Sequence, residues 1–242
     1  MLGTVLLVLH TRSADPSVIE AALERHGFAS MRICPRYGGL LPERHDGYAA
    51  SIIFGGTQSM THAELRPYLE AEMAWLEKSL GAGKPFFGIC LGAQMLARIY
   101  GGRVTRHPEL KKQIGYYPIH PAAAGRELFD EGLHVYHWHG DGFELPAGGK
   151  LLATGSTFPN EAFSMGKNAY GVQFHPEVDG AIMRRWIKVG IEDGDMKHNG
   201  AQSGEEQEAL RRIHEPGMRA WLDRFLAHWL DAPDAAQREV VE

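Results

Sequence analysis

The sequence predicts an α/β fold whose open, mixed and mainly parallel central sheet is flanked by helices. In roughly the first hundred residues, short apolar runs alternate with segments of helical periodicity, which is typical of parallel strands connected by helices on both faces of a sheet. From residue 101 onward the apolar runs are short and separated by turn residues, which favours antiparallel strands. Two further helical patterns follow residue 176.

In the first half of the chain, strands are predicted at residues 4–9, 28–34, 49–54 and 85–89. The first helix is expected to begin at Asp15-Pro16, as N-cap and first-turn proline, and to end at Gly27. Residues 35–48 lack periodicity and predict a loop. A second helix is predicted over residues 63–80, where four leucines and Met73 recur every three to four positions, and a third begins just after Cys90.

In the second half, strands are predicted at residues 103–105, 113–119, 133–137, 151–154, 161–165 and 169–174, and helices at about 182–191 and 205–230. The last helix carries an apolar stripe formed by Trp221, Phe225, Leu226, Trp229 and Leu230. We expect this stripe to pack on its own domain, with a partner surface as the alternative. The polar tail, residues 231–242, is expected to fray. Residues 1–180 are therefore predicted to form one domain, with residues 181–242 as a helical extension packed on it.

The composition is that of a globular protein and gives no indication of nucleic-acid or membrane binding. Of 242 residues, 44% are hydrophobic and 23% charged, as in ordinary globular proteins. The net charge of −5 gives no electrostatic reason to bind nucleic acid or an anionic membrane surface. Cys34 and Cys90 do not make a disulfide framework and fit a reducing cytoplasm. The apolar run at residues 5–9 is too short to span a bilayer and has no basic residue before it, so it predicts a core strand and not a signal peptide.

The most informative segment is Gly88-Ile89-Cys90-Leu91-Gly92, which places a cysteine at a strand-to-helix turn. Gly88 and Gly92 permit the sharp turn of a nucleophile elbow. Because Cys90 would stand at a helix N-terminus, the helix dipole favours its thiolate, and the N–H of Leu91 can stabilise an oxyanion. The alternative is that Cys90 is a small buried hydrophobe, but this leaves both glycines without a reason.

A nucleophilic cysteine needs a base, and His175 is the best placed of the 13 histidines. It ends an apolar strand, where ligands bind in open α/β folds. Glu177, two residues later, can reach the far ring nitrogen, so Cys90, His175 and Glu177 form a candidate triad. The alternative is an ordinary histidine at the end of a strand.

The Gly55-Gly56 pair ends the predicted strand at residues 49–54 and exposes backbone N–H groups that can accept a developing oxyanion. Taken by itself, the pair also fits an ordinary tight turn. The functional interpretation of the glycine pair depends on the presence of the Cys90 motif in the same sequence.

A rival constellation consists of His134, His137 and His139, of which the last two share one strand face. We expect no metal site there, because no cysteine or acidic cluster in the same segment completes a ligand set. The following Gly140-Asp141 segment instead predicts a loop whose backbone lies against a small ligand.

These motifs together resemble those of class I glutamine amidotransferases. The likeness comprises the nucleophile motif Gly88 to Gln94, the Gly-Val-Gln-Phe-His-Pro-Glu motif at residues 171–177, the Gly55-Gly56 turn, and the segment at residues 136–141. That last segment resembles stand-alone proteins similar to the amidotransferase domain of GMP synthetase. The resemblance covers about residues 4–180 and implies a flavodoxin-like architecture.

The resemblance implies hydrolysis of the glutamine side-chain amide through a γ-glutamyl thioester on Cys90. By the family pattern, Gly56 and Leu91 would hold the oxyanion with their N–H groups, while Gly55, Gln94, Gly140 and Asp141 would help to position the substrate. Thr57 and Ala93 depart from the family pattern, which commonly has proline and a larger residue there.

Three functions remain open at this stage. The first is a glutaminase subunit that supplies ammonia to a separate synthetase, docked near the C-terminal helices. The second is a partner-independent hydrolase of γ-glutamyl amides, and the third is a non-catalytic binding or regulatory protein. No cofactor is expected, because the sequence lacks a glycine-rich nucleotide loop of the phosphate-cradling kind.

Overall fold

The computed structural model of the chain describes residues 1–12, 14–61 and 66–230. Its strands are β1 (Gly3–Val8), β2 (Phe28–Ile33), β3 (Ala50–Ile53), β4 (Phe86–Ile89), β5 (Val104–Arg106), β6 (Gln113–Pro118), β7 (His120–Pro121), β8 (His134–His139), β9 (Asp141–Phe143), β10 (Lys150–Thr154), β11 (Ala162–Met165) and β12 (Ala169–Val172). Its helices are α1 (Ser17–Arg25), α2 (Pro67–Gly81), α3 (Leu91–Ile99), α4 (Gly180–Asp193) and α5 (Gly204–Leu230). The predicted helix start at residues 63–65 and the tail at residues 231–242 lie outside the described residues.

Within the described residues, the central sheet has the strand order β2-β1-β3-β4-β12-β11-β10-β7. The strands from β2 to β12 pair in parallel, and the pairs from β12 onward are antiparallel. Strands β5 and β9 form a small antiparallel pair, as do β6 and β8. The predicted open, mixed and mainly parallel sheet is therefore confirmed.

The order of the strands in the central sheet determines which segments of the chain meet at the candidate active site. Strand β12 comes more than 75 residues after β4 in the sequence, yet it pairs with β4 directly, with Val172 opposite Ile89. Strand β3 lies on the other side of β4. Since these three strands are parallel, the segments that follow them emerge at the same edge of the sheet, which is where open α/β sheets bind ligands.

The C-terminal helices belong to the hydrophobic core. Trp221, Phe225 and Trp229 of α5 are at most 2% exposed, and the ring of Phe225 lies 4.6 Å from that of Phe87 in β4. This burial agrees with the expectation that the apolar stripe packs on its own chain. On the opposite face of the sheet, α2 and α3 enclose a second apolar cluster that contains Leu6, Phe86 and Leu96 among its members.

Several element boundaries differ from the predicted ones. Helix α1 begins at Ser17, because the Asp15 carboxylate accepts the N–H of Ser17 and leaves Pro16 in the N-cap position without a side-chain cap. The segment predicted to be a loop contains a short 3₁₀ turn at Pro35–Tyr37. Strand β8 extends to His139, two residues past its predicted end, because it pairs with the whole of β6. None of the described helices is both long enough and apolar enough to cross a bilayer.

Candidate active site

Cys90 lies at a sharp turn between β4 and α3. Its backbone angles are φ 50° and ψ −100°, in the left-handed half of conformational space that side chains rarely adopt. A methyl group on Gly88 would lie 2.5 Å from the carbonyl carbon of Gly92, and one on Gly92 would lie 2.2 Å from the Ile53 carbonyl oxygen. Both glycines are therefore required by close backbone approach, as expected for an elbow. Strain of this kind is typical of functional sites.

His175 lies beside Cys90, although 85 positions separate them in the sequence. The N–H of Cys90 donates to the Val172 carbonyl over 2.8 Å, which fixes the elbow against the end of β12. His175 is 3% exposed and lies beside the Cys90 side chain, both against Gly55, while its Nδ1 lies 2.8 Å from Oε1 of Glu177. The structure thus brings the three predicted triad residues into contact.

Charge at this contact determines the protonation of His175. Burial lowers its pKa, but the neighbouring Glu177 and Cys90 side chains outweigh burial and raise the pKa to about 10. At neutral pH the ring is therefore a protonated imidazolium beside these two side chains. The edge of Trp186, on α4, packs against the ring with 4.9 Å between centroids and restrains its orientation.

The Gly55-Gly56 turn lies directly against this contact. A methyl group on Gly55 would lie 2.6 Å from Cε1 of His175 and 3.4 Å from Cβ of Cys90. The Gly55 carbonyl is 3.2 Å from Nδ1 of His10, whose Nε2 is 3.0 Å from the carboxylate of Glu72. Because His10 and Glu72 are fully buried, this pair holds the Gly55-Gly56 turn from the protein interior.

The N–H groups predicted to hold an oxyanion belong to Leu91, the residue after Cys90, and to Gly56. Leu91 is the first residue of α3, whose N-terminus has no side-chain cap, and the N–H groups of a first helical turn lack intrahelical acceptors. Gly56 follows β3, the neighbour of β4 in the sheet.

Two of the predicted substrate-positioning residues, Gln94 and Asp141, are connected by a hydrogen bond. Nε2 of Gln94 is 3.4 Å from the Asp141 carbonyl and 3.3 Å from Oε1 of Gln173. The Asp141 carboxylate accepts the hydroxyl of Ser59 over 2.6 Å. Gly140 links β8 to β9, and its carbonyl accepts the N–H of His107. Gln94 is only 3% exposed, so its amide contacts the start of β9 from inside the protein. The prediction of a loop at Gly140-Asp141 is wrong for Asp141, which begins β9 because it pairs with Arg106 of β5.

Sequence reasoning missed three polar residues that contact the site. Gln173 donates from Nε2 to Sγ of Cys90 over 3.5 Å. Its position two residues before His175 is a signal that strand periodicity could have supplied. His10 and Glu72 gave no local signal, because they lie on elements remote in the sequence and meet only in the folded chain.

The predicted histidine constellation divides in the structure. His134 stacks on His214, with ring centroids 3.8 Å apart. His137 and His139 instead meet Glu161, the residue before β11, in a buried cluster. Burial lowers the pKa of His137 well below its usual value and that of His139 to about 3, and burial raises the pKa of Glu161.

A cavity of about 670 Å³ lies elsewhere, between the Pro35–Tyr37 turn and α2, lined by residues that include Leu40, Tyr68 and Trp75. None of its lining residues belongs to the predicted site.

Comparison with known proteins identifies the family. Residues 38–187 match the family model for glutamine amidotransferase class-I. The glutamine amidotransferase-like protein YfeJ of Salmonella typhimurium is 31% identical over 194 residues, which cover 76% of each chain. The GMP synthase of Streptomyces avermitilis is 35% identical over 134 residues, which cover 53% of this chain and 24% of that relative.

Solved structures agree with the sequence matches. A glutamine amidotransferase from Thermotoga maritima has a TM-score of 0.84 at 27% identity, covering 94% of this chain and 98% of that one. A glutamine amidotransferase from Methylobacillus flagellatus has a TM-score of 0.85 at 22% identity, covering 95% and 94%, and supports the fold alone. The chain therefore belongs to the class I glutamine amidotransferases, a family that acts in glutamine amide transfer.

Proposed function

We propose that this chain hydrolyses the side-chain amide of glutamine through a γ-glutamyl thioester and passes the ammonia to a separate synthetase. The observation that carries the proposal is the contact of Cys90, His175 and Glu177 at the shared edge of β4 and β12. The elbow angles at Cys90 and the raised pKa of His175 support a protonated imidazole beside the sharp turn that carries the nucleophile. Such a pair is an activated nucleophile with its acid already in place.

In the proposed reaction, the Cys90 thiolate attacks the amide carbon of glutamine. The tetrahedral intermediate collapses as the C–N bond breaks, and the imidazolium of His175 donates its proton to the departing nitrogen, which leaves as ammonia. The neutral His175 then removes a proton from a water molecule, which attacks the thioester. Glutamate leaves and the thiolate re-forms. Glu177 stabilises the imidazolium and keeps Nδ1 protonated.

The oxyanion of the tetrahedral intermediate is assigned to the N–H groups of Gly56 and Leu91. In this proposal the buried pair of His10 and Glu72 holds the Gly55 carbonyl, and so orients the following peptide toward the sulfur. Gln94 holds the Asp141 backbone beside Gln173, so these residues shape the glutamine pocket indirectly.

The synthetase partner is supported by the names of the relatives. The Streptomyces avermitilis protein, of which the match covers 24%, is named a glutamine-hydrolysing GMP synthase. By analogy with that relative, we propose that a synthetase accepts the ammonia released here. The partner-independent γ-glutamyl hydrolase is the alternative that the experiments below distinguish.

The first test is labelling of the purified chain by the glutamine analogue 6-diazo-5-oxo-L-norleucine, followed by intact mass and peptide mapping. We expect one adduct per chain, on Cys90. Cys90→Ser should lose the adduct and glutamine turnover almost completely, because a serine hydroxyl is scarcely ionised at neutral pH. Cys34→Ser is the matched control, since Cys34 is the second free cysteine and is only partly buried. Labelling of Cys90→Ser at the wild-type rate would refute Cys90 as the nucleophile.

The second test separates the possible acceptors. Purified chain is given glutamine and a panel of γ-glutamyl amides, with and without proteins that co-purify from the native host. Glutamine turnover that appears only with a co-purified partner supports the synthetase-linked function. Broad turnover without a partner supports the independent hydrolase, and the absence of any covalent γ-glutamyl intermediate would refute both.

A further inference from the structure

A second group of reactive side chains lies beyond Gln94 and Gln173, outside the proposed triad. It consists of His137 and His139 on one face of β8 and Glu161 just before β11, which are 0%, 7% and 0% exposed. Nδ1 of His137 lies 3.2 Å from Nε2 of His139 and 3.7 Å from Oε2 of Glu161. One ligating atom from each of the three residues falls within 4.8 Å of the other two.

The hydrogen bonds around His139 determine the tautomer of its imidazole ring. Its Nδ1 lies 2.9 Å from the Asp141 carbonyl, which can only accept, so Nδ1 carries the hydrogen. In the neutral ring, Nε2 therefore presents a lone pair toward His137 and Glu161. A ring whose outer N–H is held by a backbone carbonyl is the usual arrangement of a metal-binding histidine.

The buried carboxyl group of Glu161 is a second, independent indication that this cluster binds a cation. Neither of its carboxyl oxygens has a hydrogen-bond partner among the described residues, although the side chain is fully buried. A carboxylate in that position is strongly destabilised unless a cation compensates it. Its Oε2 lies 3.7 Å from the His137 ring nitrogen, so this oxygen faces the two imidazoles.

The separations match a metal ligand set. Zinc binds imidazole nitrogen and carboxylate oxygen at about 2.0–2.2 Å, so two ligands of a tetrahedral ion stand roughly 3.3 Å apart. Gln113 pairs with His139 across the β6 and β8 strands, which places both side chains on one face. Gln113 is 1% exposed, and both of its amide atoms also lack a partner among the described residues. Its unpartnered amide oxygen is therefore the candidate fourth donor.

We propose that His137, His139 and Glu161 bind one divalent first-row transition metal ion, for which zinc is the best match, with Gln113 as the fourth donor. The site would be structural, because protein side chains fill a closed tetrahedral set. It would also support the neighbouring elbow. The Glu161 carbonyl accepts the N–H of Gln173 over 2.8 Å, and the Asp141 carbonyl is shared by His139 and Gln94.

The test begins with the full wild-type chain, stripped with chelator and dialysed against Zn²⁺ or Co²⁺. We expect one equivalent of metal by mass spectrometry and a rise in Tm of roughly 5–10 °C at a hundredfold excess over Kd. The Co²⁺ form should have the visible bands of a tetrahedral nitrogen and oxygen site, without thiolate-to-cobalt charge transfer. Failure of the wild-type chain to take up stoichiometric metal would overturn the proposal, whatever the variants do.

Variants locate the ion. Glu161→Gln keeps the side-chain shape but removes the anionic ligand, and we expect binding to weaken by about a hundredfold or more. His120→Asn is the matched control, because His120 pairs with Glu131 on the surface. Cys90→Ser should retain the metal and the cobalt spectrum. Wild-type affinity in Glu161→Gln, or loss of the ion in Cys90→Ser, would overturn the assignment. These readouts do not depend on glutamine turnover. The metal proposal can therefore be refuted without refuting the proposed function, and the reverse also holds.

Discussion

Gly55→Ala probes the geometry of the proposed active site most directly. No positive φ at Gly55 opposes alanine, so the substitution adds a methyl group without backbone strain. That methyl would lie 2.6 Å from Cε1 of His175. Carbon atoms in ordinary contact are about 3.5–4.0 Å apart, so the imidazole or the turn must shift by roughly 1 Å. A misplacement of that size costs on the order of 100-fold in rate, or about 2.7 kcal/mol of activation free energy.

The assay for Gly55→Ala is the rate of Cys90 labelling by 6-diazo-5-oxo-L-norleucine, because this step needs no acceptor enzyme. We expect the labelling rate to fall by about two orders of magnitude while Tm stays near that of the wild type. Gly47→Ala is the matched control, since its added methyl meets nothing within 4 Å and no positive φ opposes it. If Gly55→Ala labels within a few-fold of Gly47→Ala, the contact between the turn and His175 does not govern the chemistry.

Two further predictions concern His175 and its partner. Glu177→Gln loses the charge of one charge-assisted hydrogen bond, about 1.5–3 kcal/mol, and should slow turnover roughly 10- to 100-fold. His175→Ala removes the acid and base and should cost more, so equal losses in steady-state rates would contradict the role assigned to Glu177. The pKa of His175 is raised from 6.5 to about 10, so its contribution to stability is complete below pH 6.5 and is lost as the pH rises through about 10. Urea unfolding from pH 7 to 10 should therefore show a steeper loss of stability in wild type than in His175→Gln, and parallel curves would contradict the raised pKa.

Buried polar contacts join the proposed triad to the rest of the fold. His10 and Glu72 hold one side of the elbow through the Gly55 carbonyl, and Gln94 and Gln173 hold the other. Hydrogen bonds between side chains buried in a low-dielectric interior are strong and costly to break. The strained backbone of Cys90 therefore lies in a framework that fixes its surroundings.

The elbow could be predicted from the sequence because its causes are local. Gly88 and Gly92 are needed by close approach of the strand, the helix and a neighbouring backbone, and both flank Cys90 within two positions. The pairing of Glu177 with His175 could also be predicted, since only Pro176 stands between them in the sequence. Strand and helix types were predicted from periodicity, while ends such as those of α1 and β8 depended on individual hydrogen bonds and pairing partners.

The sequence by itself predicted the class of fold, which the structure confirms, and the nucleophile and base that we propose, because short-range spacing and apolar periodicity carry those features. Only the tertiary structure decided which distant polar groups meet. The pairing of β12 with β4 placed His175 and Gln173 against Cys90, and the approach of Glu161 to His137 and His139 created a cluster that the β8 segment alone does not contain. Partners of this kind leave no periodic signal, since the order of strands in the sheet, and not their separation along the chain, brings them together.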